Sequence, residues 1–325
     1  MANKFLPSFR MFVQLPPVAP LDYAGSTNNI NATFAGENQV TKWKANEEFI
    51  EIAFPLTIEF DIQKSTTSDA NSALFSIYNL NAKNRSLIVK DRFTQNDLNI
   101  GLERRKVVFQ SGYGGKLTTT FFGNLIEGYT ERKGVDFITK IEVQDGAYEM
   151  YNAISSLSVD KTTTQAQLLD VLIKDLDLKR GYIGNVFEKI LSSRGKSVNG
   201  NTYEAIQAEI GDKVFVDNGL INALNVNEYI AGDVFLIDSN SGLLGIPKRT
   251  GGLINVDLMY EPLLILGQIV EIKSEFDSRF DGQYKIMAIN HSGTISGAVE
   301  GNRITSIQLL IGTANLGGLK EVKIS

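Results

Sequence analysis

Phe75-Ser76-Ile77-Tyr78-Asn79-Leu80, Ser111-Gly112-Tyr113 and Phe121-Phe122-Gly123-Asn124-Leu125-Ile126 punctuate the stretch between Leu74 and Asp145. Aromatic and β-branched residues alternate there with small and polar ones, the period of a half-buried strand. Glycines and polar pairs separate the runs. None of these residues forms a pair suited to moving a proton or attacking a bond. The stretch is built to pair strands and meet neighbours, and so points to an assembly component.

The flanking sequence extends this pattern. Ser8 to Gln14 alternates as a strand and stops at Pro16-Pro17. Residues 18–48 are rich in Asn, Gly, Ala and Thr and predict a long loop or short hairpin, and the 15–48 segment would serve as an arm on a neighbouring subunit. Phe49 to Gln63 alternates again, with Ile50, Ile52, Leu56, Ile58, Phe60 and Ile62 on one face. Asn81 is placed to cap a short helix over 81–88. Strands follow at Lys106–Gln110 and Thr118–Ile126. A glycine turn from Ser111 to Lys116 separates them. Glu127-Gly128 marks a bulge, and a last strand covers Asp136–Val143. About six strands between 49 and 145 predict a small barrel or sandwich.

The middle of the chain changes period. Thr164 and Gln167 have the spacing of a capping box, and Leu168, Leu169, Leu172, Ile173 and Leu176 share one helical face. A second helix is expected over Thr202–Ile210, stopped by Gly211, and then a hairpin turning at Asn218-Gly219. Strands return at Leu253–Met259, Ile269–Lys273, Tyr284–Asn290 and Thr305–Ile311. The fold class expected is mainly β with a smaller α-containing middle (α+β). The domains expected are 1–155, with the 15–48 arm, then a mixed α/β unit over 156–245, then a β unit over 246–325.

Composition narrows the chemistry. The chain has no cysteine, which excludes disulfides and thiolate metal sites, and one histidine, which excludes a His-His zinc site. A net charge of −5 supplies no electrostatic attraction to nucleic acid. No apolar run is long enough to cross a bilayer, and Met1 to Pro7 lacks the pattern of a secretory signal.

Each conspicuous motif has a plain structural reading. His291, in Asn290-His291-Ser292-Gly293, reads as a hydrogen-bonded imidazole at a strand end, with no Gly-x-Ser-x-Gly elbow to serve. Gly112-Tyr113-Gly114-Gly115-Lys116 lacks the spacing and following helix of a phosphate loop. Asp175 and Asp177 flank Leu176 on a helix and are expected in solvent. Arg104-Arg105-Lys106 is a weak basic cluster for an acidic partner. The sequons at Asn31 and Asn84 carry no meaning without a signal peptide. No residue is assigned a catalytic, cofactor-binding or metal-binding role, and no cofactor is expected.

The signature Phe75 to Leu80, followed by Arg85 and Ile88, then Gly112-Tyr113 and Phe122 to Ile126, resembles baseplate hub proteins of contractile-tailed bacteriophages. A second set matches the C-terminal β region of that family. It comprises Gly242 to Pro247, Met259-Tyr260-Glu261-Pro262, Gly267 to Val270, Gly282-Gln283-Tyr284, His291-Ser292-Gly293 and Gly297. Thr294 stands where the family pattern carries Asp. The resemblance implies a structural, non-enzymatic virion protein of the tail baseplate, made in the host cytoplasm. It implies two tube-like β-barrel domains per subunit and a homotrimer that adapts a sixfold tail tube to a threefold central spike. Partners would be the trimeric spike protein, the hexameric tube protein and other baseplate proteins, without specific nucleic acid or membrane insertion. The alternative is a tail-associated wall-degrading or glycan-binding protein, with Tyr113, Tyr129 and Tyr151 lining a groove.

Overall fold

The computed structural model describes residues 6–15, 49–67, 69–89, 105–185, 187, 195–275, 277–310 and 320–322. The arm expected over 15–48, Arg104 and the Asn31 sequon lie outside these residues, apart from Leu15.

The meander forms as the alternation predicts. Strand β3 (Ile58–Ser65) buries Ile58, Phe60 and Ile62, and β4 (Ser72–Tyr78) buries Ala73, Phe75 and Ile77. Asn81 caps helix α1 (Ala82–Ile88) by accepting the Asn84 amide at 2.8 Å. Strands β5 (Lys106–Tyr113) and β6 (Lys116–Lys133) form a long hairpin, and β7 (Asp136–Gln144) runs back along β6. The Glu127-Gly128 bulge is present as a register shift between Leu125 and Glu127. A Cβ at Gly128 would lie 2.7 Å from the Ile88 carbonyl oxygen, so glycine lets α1 dock across β6 there.

Two local expectations are corrected. The alternation from Phe49 to Gln63 is two strands, because Pro55 has no N–H to give a ladder. Strand β2 (Phe49–Ala53) turns to pair β1 (Pro7–Gln14), while β3 pairs β4. The turn between β5 and β6 is only Gly114-Gly115, with φ of 59° and 79°, the geometry of a two-residue hairpin loop. Ser111 to Tyr113 therefore belong to the ladder.

The middle is the expected helical region. In helix α3 (Gln165–Leu176) the Thr164 hydroxyl accepts the Gln167 amide at 3.1 Å, and the Gln167 side chain accepts the Thr164 amide at 2.9 Å. Thr164→Ala should therefore lower the urea midpoint by about 1 kcal/mol of stability. An unchanged midpoint would show that packing alone sets this helix end. Helix α4 (Thr202–Ile210) is capped by Asn201 and ends at Gly211, whose φ is +66°. Strands β11 (Val214–Asp217) and β12 (Leu220–Ala223) form the hairpin, with Asn218 and Gly219 at φ of 53° and 76°. β12 also pairs in parallel with β9 (Lys179–Ile183). Periodicity was too short to reveal helix α2 (Ala147–Asn152) or the β8 (Ile154–Val159) and β10 (Lys196–Asn201) ribbon.

The late strands join the early ones. Strand β18 (Gly282–Ile295) pairs β3 on one side and β19 (Arg303–Leu310) on the other. β16 (Leu253–Met259) and β15 (Leu243–Thr250) continue outward from β19. A thirteen-stranded sheet results, in the order β15-β16-β19-β18-β3-β4-β7-β6-β5-β1-β2, with β17 (Ile269–Ile272) and β14 (Phe235–Ile237) branching from β18. The mainly β class stands. The expectation of two closed barrels is corrected: among the described residues β15 and β2 end the path, because β18 spends its pairing on β3.

Three apolar cores stabilise this frame. Phe9, Phe60, Phe75, Phe109 and Phe121 fill the first, with Phe75 and Phe109 ring centroids 4.9 Å apart. Leu169, Leu172, Ile173, Ile206 and Val214 fill the second, around α3 and α4. Val256, Leu258, Val270, Ile286 and Leu309 fill the third.

Candidate functional site

The joint between the early and late strands is built from buried polar groups. Tyr260 follows β16 yet is fully buried in the first core, 5.2 Å from the Phe60 ring. Burial pushes its phenol well above the ordinary range, so the hydroxyl keeps its proton. That hydroxyl meets Ser111 Oγ, which in turn meets Thr120 Oγ1. The Tyr113 hydroxyl donates to the Tyr260 carbonyl at 2.9 Å, so β5 and the residue after β16 are tied twice.

His291 completes the joint. It lies inside β18, with Ile62 and Thr305 as cross-strand partners, and is 1% exposed. The expectation of a strand-ending turn is corrected, because pairing with both β3 and β19 carries β18 on to Ile295. The hydrogen-bonded imidazole is present: Nδ1 lies 2.8 Å from Thr305 Oγ1. That oxygen also accepts the Glu261 amide at 2.9 Å, so Thr305 ties the imidazole to the residue after Tyr260. The ring stands edge-on to Tyr260 at 5.5 Å. Burial, and then the Lys64 charge, hold His291 down at about 3.

A consequence for pH follows. The folded ring binds protons less readily than the unfolded one, so its contribution is intact above about 6.5 and is lost as pH falls toward 3. The slope is about 1.4 kcal/mol per pH unit. His291→Gln should flatten the acid limb of the urea-midpoint profile between pH 6.5 and 4.5 relative to wild type. Parallel acid limbs would show that His291 is not responsible.

The other singled-out residues are dispersed. Arg105 is 2% exposed and donates to the carbonyls of Gln14 at 3.0 Å and Leu87 at 2.6 Å. Lys106 pairs with Glu149 at 2.6 Å. The short basic cluster offers no acidic-partner surface at Arg105, which ties β1 to α1 from inside. A Cβ at Gly112 would lie 1.9 Å from the Lys116 carbonyl oxygen, so this glycine serves strand approach. Asp175 and Asp177 are exposed as expected, and Asp175 accepts the Ser155 hydroxyl at 2.6 Å. The Asn84 amide donates to the α1 cap. Tyr113 ends β5 opposite Lys116, and Tyr129 lies toward the other end of β6, about 40 Å along the strand. Tyr151 stands on α2, so no single groove gathers the three.

One face of the large sheet carries a polar row. Asp257, Ser306, Asn290, Gln63, Ser72 and Gln144 are successive cross-strand partners over β16, β19, β18, β3, β4 and β7. A neighbouring row holds Ser292, Asp61, Leu74 and Glu142. A cleft of 510 Å³ on this face is lined by Gln63, Asn71, Asn255, Asn290, Ser306 and Gln308 among others. Carboxamides and hydroxyls dominate the lining, which also includes Lys64 and Asp69, and such groups bind water and hydrogen-bonding partners. Among the described residues no three His, Asp or Glu side chains gather as metal ligands, and no helix is long and apolar enough to cross a membrane. Among the described residues, β15 and β2 end the sheet, with exposed apolar side chains on or beside them. β15 exposes Leu244 and Ile246, and Phe54 is exposed beside β2. Neither the face nor the edges were evident from sequence, because both depend on β18 pairing β3.

The fold is similar to that of a 43 kDa tail protein of prophage MuSo2 from Shewanella oneidensis, with a TM-score of 0.53 and 9% identity over 80% of this chain and 94% of that one. It is also similar to a chain of the lidless PdpA-VgrG complex, with a TM-score of 0.51 and 8% identity over 96% of this chain and 66% of that one. A lidded Francisella PdpA-VgrG complex gives 0.50 and 9% over 98% of this chain and 55% of that one. The chain thus spans about half to two thirds of the length of those PdpA-VgrG chains. A comparison with curated proteins finds no match. A profile described as baseplate hub gp41 matches residues 39–294. The chain belongs to the baseplate hub gp41 family.

Proposed function

We propose that the protein is a homotrimeric structural hub of the tail baseplate that adapts a sixfold tail tube to a threefold central spike. The observation that carries this reading is the open thirteen-stranded sheet, with one polar face and, among the described residues, unpaired edges at β2 and β15. An unpaired sheet edge is a template for another chain. Edge-to-edge association of three copies would cover both ends and turn the polar faces toward a common axis. Each copy contributes an early and a late set of strands, so three copies offer six strand sets to a sixfold neighbour. The role needs no cofactor and no chemical step, in keeping with a joint built from a neutral histidine and buried hydroxyls. Its partners would be a spike protein, a tube protein and other baseplate proteins, within the virion tail.

Native mass measurement of the purified chain tests this. The expected mass is three times that of the monomer, with complexes formed on adding the tube or spike protein. A chain that stays monomeric at high concentration and joins neither partner would refute the hub. Ile246→Lys, placed on the β15 edge, should shift the trimer toward monomer at least tenfold and leave the far-UV spectrum unchanged. An unaltered association constant would remove β15 from the contact.

A further inference from the structure

The tip of the β11–β12 hairpin meets the large sheet through charges. Lys64 points inward from β3 and donates to Asp217 Oδ1 at 2.7 Å and to Asn218 Oδ1 at 3.3 Å. Asp145, between β7 and α2, accepts the Gly219 amide at 2.9 Å. Asn71 donates to the Val216 carbonyl at 2.7 Å, and its own carbonyl accepts the Asp145 amide at 2.8 Å. Lys64 and Asp145 are 4% and 0% exposed and Asp217 is 9% exposed, so Asp145 lies at the buried end of the pocket. Gly219 closes it: at φ of +76°, a Cβ there would lie 2.8 Å from the Phe122 ring.

The charge count in this pocket is uneven. One ammonium faces two carboxyl groups, and Asp145 Oδ2 has no hydrogen-bond partner. With Lys64 and Asp217 ionised and Asp145 protonated, the pocket is neutral. Losing that proton leaves one uncompensated anion shielded from bulk solvent, which is far costlier than an unsatisfied neutral oxygen. The charged or titratable groups facing the pocket are Lys64 from β3 and Asp217 from β11. His291 on β18 also feels Lys64 and is neutral. Glu149, the nearest acid on α2, is turned to Lys106 and Asn124.

We propose that the β11–β12 tip is a proton-held latch between the large sheet and the helical region, closed while Asp145 keeps its proton and loosened when that proton leaves. Burial, and then the Asp217 carboxylate, push Asp145 up to about 8, against the pull of Lys64 and the Gly219 and Asn218 amides. In the open latch the carboxyl returns to its ordinary range. The closed form therefore binds the proton more tightly, and its advantage is complete below about pH 4. That advantage declines about tenfold per pH unit as pH rises, and levels off above about 8.

Amide hydrogen exchange of the full chain tests the latch, with rates corrected for intrinsic pH dependence. Protection of the peptide spanning 214–223 should fall about a hundredfold between pH 6 and 8 and then level off. Asp145→Asn, which has the same shape and no titration, should abolish this fall. Asp217→Asn leaves Lys64 free to compensate an ionised Asp145, so the levelling point should move to lower pH. Protection in the wild type that is constant from pH 6 to 8 would overturn the latch. So would an undiminished fall in Asp145→Asn, or an unmoved levelling point in Asp217→Asn.

Discussion

Tyr260→Ala is expected to lower the stability of the chain by about 3–5 kcal/mol, a large fraction of what a folded chain of this kind has to lose. The side chain is fully buried and packs on Phe60, so truncation leaves a cavity between rings that cannot collapse together. It also strands the Ser111 hydroxyl, which must then rely on Thr120 alone. The loss falls on the contact between early and late strands, so both should unfold at a lower urea concentration. Tyr260→Phe keeps the ring and removes only the hydroxyl, and should cost about 1 kcal/mol. Far-UV circular dichroism in a urea series reads both variants. Equal midpoints for wild type and Tyr260→Ala would show that backbone pairing of β3 with β18 suffices to hold the halves together.

Arg105→Met should cost a similar amount, about 3–5 kcal/mol, for a different reason. The guanidinium sits inside the protein and bonds the carbonyls of Gln14, Leu87 and, at 3.5 Å, Ile88. Two of these are carbonyls at the C-terminal end of α1, where a helix has acceptors without intrahelical donors and welcomes a positive charge. Removing the donor leaves several buried oxygens unsatisfied at once, each worth about 1–3 kcal/mol. Arg105→Lys keeps the charge but cannot span the same carbonyls with one ammonium, so it should rescue only part of the loss. The local sign is faster proteolysis near residues 82–89 in native buffer. If the Lys variant matches wild type in both midpoint and cleavage, the planar fork is not what the site requires.

The features legible from sequence share a property: the groups that specify them lie within a few residues of each other. Asn218-Gly219 makes its hairpin because two adjacent residues can adopt positive φ, and Gly114-Gly115 does the same. Thr164 and Gln167 cap each other across three residues, and Asn81 caps from the same distance. Period-two alternation identified β3 and β4 because each strand's own side chains record which face is covered. The β15 strand escaped notice because Gly245 and Pro247 interrupt its pattern and most of it lies at an exposed edge.

The misread residues share the opposite property. Arg105 read only as a member of a weak basic cluster because its acceptors belong to Gln14, Leu87 and Ile88, all distant in the chain. His291 looked like a strand end because Ser292-Gly293 reads as a turn, yet β3 and β19 hold it straight from either side.

The order of residues alone established a mainly β chain with a helical centre, free of thiol and paired-histidine chemistry, and its motifs pointed to the baseplate hub family. Those properties come from local periodicity, turn geometry and composition, which need no partner elsewhere. Folding decided that β18 pairs β3, and with it the open sheet, the polar face, the two edges and the buried Lys64–Asp145–Asp217 cluster. Such pairings join residues more than two hundred apart, where each strand offers the same backbone donors and acceptors to any neighbour. Choice among neighbours then falls to the packing of Tyr260, Phe60 and His291, which exists only once the chain has closed on itself.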